Sequence, residues 1–499
     1  MARRTYWTWH SHVTSFLPYR VRVVGRELTY PSAAIYFDGF LPSSKAQVRL
    51  DRILKVSTQL KIFRSGFPNG CPARQIAATR LMLPRLFPTD PPKRDLPLIP
   101  PPPFLVSAVV DKLNQIDKYA SLILLVPGEA DAYCADDVMR NGGTILTSDS
   151  DLAIHDLNEG AVMFFRDLHI SSSDSKKSLI GRKYSPSDVA KRLQLPKEQG
   201  MRRFAYELSK MTRPKFAQVL ENCKGEVSDT EDYRVFCEPY EALETTDWSS
   251  VPVLGSLKSP CLDARLSEVV LQCVGYSGVA KPSMGDSSVE GCMMCLPPLL
   301  DCPARASAWD SSASVRQLAY SLTCLLRPGT VSHAVALQLI LAHSLEEDKQ
   351  DVCIAAIKLA QSVAEDSTLI PWDVVHLSAQ VQAMLYSLRI LAQVLNLMSE
   401  IKAPGPIQGS RQLRELLSTL PPLTTYPTVD GTTGLVTSLK ATGALAKMAI
   451  ALGIPEDNLL PSREGKSRKK KRKSRNESEA QARPEKKASS NPFDVLGLE

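Results

Sequence analysis

The stretch SLILLVPGEADAYCADDVMRNGGTILTSDSDL (121–152) constrains the fold more than any other part of the chain. Its opening run, SLILLV (121–126), has the continuous hydrophobicity expected of a parallel strand buried on both faces. Pro127-Gly128 breaks the run. EADAYCADDVMRN (129–141) then reads as a helix that Gly142-Gly143 stops, and TILT (144–147) as the next strand. Strand, helix and strand joined by short turns predict an α/β parallel sheet. Glu129 and Asp131 follow the first strand, and Asp149 and Asp151 follow its expected neighbour.

The same reading extends outward. AAIYFDGF (33–40) predicts a strand ending at Asp38-Gly39, GAVMFF (160–165) another strand, and residues 105–119 a helix. SSKAQVRLDRILKVSTQLKIF (43–63) has helical character and repeated basic residues. PPKRDLPLIPPPPF (91–104) has prolines at half its positions, which predicts a stiff, extended connector. SPSDVAKRL (185–193) carries a helix start, with Ser185 as cap, Pro186 first and Asp188 third.

Charge is distributed unevenly. The formal net charge is +7, yet residues 461–499 hold 12 Lys and Arg against 6 Asp and Glu, so the body is almost neutral. Whole-chain charge therefore gives no argument that the body binds nucleic acid; that needs a local patch. No apolar run approaches membrane-spanning length, and MARRTYWTWHSH lacks the apolar stretch of a secretory signal. The eleven cysteines read as reduced intracellular thiols.

Ligands of α/β sheets sit at the carboxyl ends of the strands. Asp38, Glu129, Asp131, Asp149 and Asp151 are all expected at such ends, where like charges raise one another's pKa unless cations intervene. Oxygen donors without His or Cys suit Mg²⁺ or Mn²⁺, and two such ions about 4 Å apart can activate water and stabilise the leaving oxygen of a phosphodiester. Taken singly, each motif has a plainer explanation. Glu129 and Asp131 favour a helix N-terminus, Asp149-Ser150-Asp151 makes a polar turn, and Asp38-Gly39 makes another. The combination points to a metal site.

VPGEADAYCA (126–135), followed by TSDSDL (147–152), resembles the internal motif of the XPG/flap-endonuclease family, and YFDG with Lys45 and Arg52 downstream is similar to that family's N-terminal region. SDSDLAIHDL and the terminal NPFDVLGLE after a Lys-rich tract resemble the asteroid branch, especially its fungal members. The resemblance covers residues 30–195 and implies a PIN-like nuclease domain, a mostly parallel sheet with flanking helices. It implies Asp38, Glu129, Asp131, Asp149 and Asp151 as ligands of two Mg²⁺ or Mn²⁺ ions. Lys45 and Arg52 match catalytic basic residues at the base of the family's helical arch. Their spacing of seven puts them on one helix face, where they would meet the scissile phosphate; the plainer alternative makes Lys45, Arg49, Arg52 and Lys55 a solvated face. The implied substrate is DNA with single-strand/duplex junctions, the setting DNA repair in the nucleus, and the rival a non-catalytic PIN-like scaffold for nucleic acid or proteins.

The chain also departs from the family pattern. Residues 1–32 contain no aspartate where the family has an acidic strand, so the sheet is expected to lack that strand and one ligand. LPKEQGMRRFAYELSKMTRPKFAQVLENCKG (195–225) is helical without the family's glycine-marked DNA-binding motif, and the proline-rich connector stands where the arch belongs. The expected organisation is an atypical segment 1–32, a nuclease domain 33–195 with the insertion 91–104, a helical then irregular connector 196–304, an α-helical domain 305–455 and a disordered basic tail 456–499. The helical domain is a candidate protein-partner site, and no membrane contact is expected.

Smaller signals are weighed against plain readings. CMMC (292–295) with Cys302 lacks the second ligand pair that structural zinc requires, so buried or free thiols are expected. His155 is expected to be structural. KSRKKKRK (466–473) suggests nuclear import or phosphate attraction, and NPFDVLGL (491–498) a docking motif that folds on binding.

Overall fold

The apolar runs fold as strands, but in pairs and short ribbons rather than as one sheet. The structure is a computed structural model. It describes residues 21–23, 26–27, 34–41, 45–72, 100, 103–171, 178–211, 215–227, 230–241, 262–273, 294–324, 369–400, 410–426, 428–451 and 453. All of these belong to the compact unit Met1–Leu459. The basic tail, NPFDVLGL and nearly all of the proline-rich connector lie outside the described residues.

The strands are β1 (Val21–Val23), β2 (Arg26–Glu27), β3 (Ile35–Asp38), β4 (Cys71–Pro72), β5 (Ile123–Val126), β6 (Thr144–Thr147), β7 (Ala161–Phe164), β8 (His169–Ser171), β9 (Ser178–Gly181), β10 (Lys183–Tyr184) and β11 (Leu369–Ile370). β3 pairs in parallel with β5, in a register that sets Asp38 opposite Val126. β6 pairs in parallel with β7, and β10 closes that sheet antiparallel. β2-β1-β9-β8 form a third sheet, and β11-β4 a fourth. The strands predicted within 33–40, 121–126, 144–147 and 160–165 are therefore present, at 35–38, 123–126, 144–147 and 161–164, and they pair in parallel as β3–β5 and β6–β7. The single sheet is not what they build among the described residues, and β5 and β6 are not hydrogen-bonded neighbours there.

One consequence is exposure. All four residues of β7 are buried, but Leu124 of β5 and Leu146 of β6 keep 36% and 40% of their surface. Among the described residues both β5 and β6 are edge strands of narrow sheets, whose faces helices cover incompletely, so the expectation of a strand buried on both faces fails at Leu124. Residues 21–27, unassigned in the sequence reading, supply β1 and β2.

Five helices matter for the site: α1 (Ala46–Gly66), α2 (Leu105–Asn114), α3 (Ala130–Asn141), α4 (Ala264–Cys273) and α5 (Trp372–Glu400). The helix predicted at 105–119 is two, because Ile116 turns extended after α2 before a short turn of helix at Asp117–Ala120. Ser185 caps its helix as expected, its hydroxyl accepting from the Asp188 amide at 3.3 Å behind Pro186.

One core joins the strands to the C-terminal helices. The Phe104 ring stacks on Tyr386 of α5 at 4.5 Å and meets Trp309 edge-on, while Phe40, Ala108 and Leu125 share their cluster with Leu266, Leu271, Ile390 and Val394. α5 is long and apolar enough to cross a membrane by length and composition, and half of that stretch is buried in this core. Core packing accounts for its composition. Within the same wall, Arg389 forks onto Asp111 of α2 through two 2.8 Å bonds, and the Tyr386 hydroxyl donates to Asp263 at 2.7 Å.

Candidate metal centre

Each carboxylate is placed by a local rule of chain geometry. β3 ends at Asp38 because Gly39 must follow: a Cβ there would lie 2.4 Å from the Val126 carbonyl, which instead accepts the Gly39 N–H at 2.8 Å. Asp38 is thereby delivered to the N-terminus of α3, where its Oδ1 accepts the Ala130 N–H at 2.7 Å. Glu129 is the extended N-cap residue of α3, and Asp131 lies in the helix's first turn. Beyond β6 the Asp149 amide donates to Thr147 Oγ1 at 3.0 Å. The Asp149 Oδ1 accepts the Asp151 amide at 3.1 Å, shaping a turn that opens a short 3₁₀ segment.

Asp131 reports how these groups meet. Burial first, then Asp149, Asp38, Glu129 and Asp151, push its carboxyl up to about 6. Every predicted metal-binding carboxylate thus acts on this one. Asp151 is also raised, by burial and by Asp149, with Lys45 pulling the other way. One turn along α3, burial followed by Asp131, Asp137 and Asp38 pushes the Cys134 thiol up to about 12.

The two basic residues part company. Lys45 stands at the start of α1, with its Nζ 3.3 Å from Glu129 Oε1, so it belongs to the cluster. Arg52 is exposed about 10 Å further along the helix, and no ion pair among the described residues ties it to the carboxylates. Between them Arg49 turns inward onto Glu268 of α4, with 17% and 7% of the two side chains exposed. The helix face is therefore divided: Lys45 serves the acidic cluster, Arg49 the core, and Arg52 and Lys55 the solvent.

Sequence reasoning missed Tyr240, which lies in the stretch read as irregular. Its hydroxyl is raised by burial and then by Asp151, Asp149 and Glu129, which places it on the rim of the cluster. Its ring packs edge-on against His155 at 5.2 Å. His155 is buried, and burial, then Arg202, pushes its pKa down to about 4, so it is neutral and acts as packing near the site. Cys302 is buried and Cys295 is a free thiol; Cys292 lies outside the described residues.

The donor chemistry fits Mg²⁺ or Mn²⁺, since all five groups are carboxylates. Their arrangement is not that of a formed ion site: among the described residues no group of three or more His, Cys, Asp or Glu side chains is set to hold one ion. Part of the reason is visible, since Asp38, Glu129 and Asp149 each already engage a donor of the protein.

A family model described as XPG domain containing matches residues 101–338, just under half of the chain. That match supports XPG-family membership. It points to a nuclease-like, nucleic-acid-binding protein of a family that usually uses divalent metals. No curated protein and no solved structure matches the chain. The matched stretch includes Glu129, Asp131, Asp149 and Asp151; Asp38, Lys45 and Arg52 precede it and are joined to it by the β3–β5 pairing and the Lys45–Glu129 contact.

Proposed function

We propose that this chain is a metal-dependent, structure-specific nuclease of the asteroid type, hydrolysing phosphodiesters in DNA that carries single-strand/duplex junctions. The observation that carries the reading is Asp131, whose proton is held up to about 6 by burial and then by four neighbouring carboxylates, Asp149, Asp38, Glu129 and Asp151. A fold maintains such mutual repulsion at strand ends when a cation is to be accommodated there. Asp38, Glu129, Asp131, Asp149 and Asp151 would supply the oxygen donors once drawn together around the metal from the arrangement described above, and two Mg²⁺ or Mn²⁺ ions there would supply an activated water and stabilise the departing oxygen.

The chain's own residues do the rest. Lys45, 42% exposed at the rim, is placed to exchange Glu129 for a substrate phosphate and so orient it. Arg52, exposed farther along α1, extends the track for the flanking backbone. The basic tract 466–473 supports nuclear import, and DNA repair is the setting the junction preference suggests.

The test is cleavage of a labelled panel of flap, overhang, hairpin and single-stranded substrates in Mg²⁺ and Mn²⁺. Wild type is expected to cut, and the Asp149→Ala/Asp151→Ala double variant to lose at least about a hundredfold in rate. A second reading, a PIN-like scaffold that binds without cutting, is favoured by the engagement of Asp38 and Glu129 with protein donors. A folded wild type that binds the panel but cuts none of it would establish that reading instead.

A further inference from the structure

The two parts of the site that precede the family match, the Asp38 turn and the start of α1, are both fastened to one distant helix, α4. Ser267 of α4 is fully buried, and its hydroxyl donates to the Gly39 carbonyl at 2.8 Å across 228 residues of sequence. The next residue, Glu268, receives Arg49 of α1 on Oε1 and Arg265 on Oε2 at 3.6 Å. Arg49 lies one helical turn after Lys45, on the same side of α1. Adjacent residues of one helix thus grip the strand end that carries Asp38 and the helix start that carries Lys45.

α4 is itself immobilised. Leu266, Val269, Val270 and Leu271 are fully buried. At its N-terminus the Asp263 amide donates to Gln393 of α5 at 2.8 Å, and the Asp263 carboxylate accepts the Tyr386 hydroxyl. A buried helix tied to a second buried helix makes a stiff reference for groups whose productive placement tolerates little error.

We propose that Ser267 and Glu268 are positioning residues, holding the Asp38 turn and, through Arg49, the Lys45 end of α1 in register across the acidic cluster. The catalytic part of this assignment rests on the nuclease reading; the mechanical part does not. It gives α4, which the family match covers, a stated task in holding residues that precede the match, and it explains why Arg49 is drawn away from the exposed basic face.

The experiment uses the full chain with Arg49→Met, Ser267→Ala, the double variant, and Lys61→Met as a control for loss of an exposed charge on α1. Arg49→Met leaves Glu268 paired with Arg265, so no buried charge is stranded. Two readouts are taken: kcat and KM on the best-cut substrate, and pulse acylation of Lys45 followed by mass spectrometry. Arg49→Met is expected to lower kcat about tenfold and the double variant about a hundredfold, with KM within about twofold. Lys45 acylation should rise several-fold as its contact with Glu129 loosens, whereas Lys61→Met changes neither quantity. Should the double variant not fold, Arg49→Met decides alone. A rise in KM at unchanged kcat overturns the proposal, because it assigns Arg49 to substrate binding. Wild-type Lys45 reactivity in Arg49→Met overturns it equally. If wild type cuts nothing, the nuclease reading fails by itself, and the acylation result still decides whether α4 fixes the helix start.

Discussion

Two groups of buried or half-buried charges border the same core and follow opposite rules. In the wall between α2, α4 and α5, the buried charges are set against opposite ones: Arg389 forks onto Asp111 and sits 3.6 Å from Asp263, which also takes the Tyr386 hydroxyl. Burial raises the Asp111 carboxyl and Arg389 works against that rise. For Arg389, burial works against the charge, yet Asp111 and Asp263 hold its proton more firmly than usual. At the strand ends, the five carboxylates have one lysine, Lys45, paired into them among the described residues. The first group shows what this chain does with charge when stability is the purpose. Against that standard, the surplus at the second is what the proposed metal-dependent reading accounts for.

The contrast can be broken by substitution. Arg389→Leu strands two buried carboxylates and should cost about 3–5 kcal/mol in denaturant unfolding; a loss under about 1 kcal/mol would mean the network is not matched as described. Gly39→Ala forces a methyl against the Val126 carbonyl and should cost about 1–3 kcal/mol. The site should respond with the opposite sign: Asp149→Ala/Asp151→Ala should unfold no earlier than wild type without metal. Added Mg²⁺ should raise the melting temperature of wild type but not of that variant.

The smallest expected effect is a pH signature. The folded protein holds the Asp131 proton more tightly than the unfolded chain, so metal-free stability should decline as pH climbs from about 4 towards about 6. Asp131→Asn should flatten that decline. Equal slopes for the two proteins in thermal scans would show that the carboxylates do not act on Asp131 together.

What was legible in the sequence was what neighbours in the chain decide. Pro127-Gly128 and Gly142-Gly143 cut the elements where the fold cuts them, and the runs read as strands at 121–126 and 144–147 are strands at 123–126 and 144–147. The acidic ends followed from those boundaries, so Asp131 and its neighbours were found together. The helix at 264–273 was missed because LDARLSEVVLQC has turn-rich sequence on either side and owes its place to burial rather than to a start or stop signal. Arg49 was grouped with the solvated face because its partner is 219 residues away, where no spacing rule reaches. Tyr240 failed to register for the same reason. Strand pairing, too, depends on how far helices can cover a sheet, which a run of four apolar residues does not encode.

The stack of Phe104 on Tyr386 has a genetic consequence. The family match ends at residue 338, whereas the helix that completes the core begins at Trp372. A stop codon or frameshift between them would spare every acidic residue of the site. It would nonetheless remove the ring that covers Phe104, the arginine that neutralises Asp111 and the anchor of Asp263. Such an allele should behave as a full loss of the protein, and its product should be found in the degraded or aggregated fraction of a cell extract.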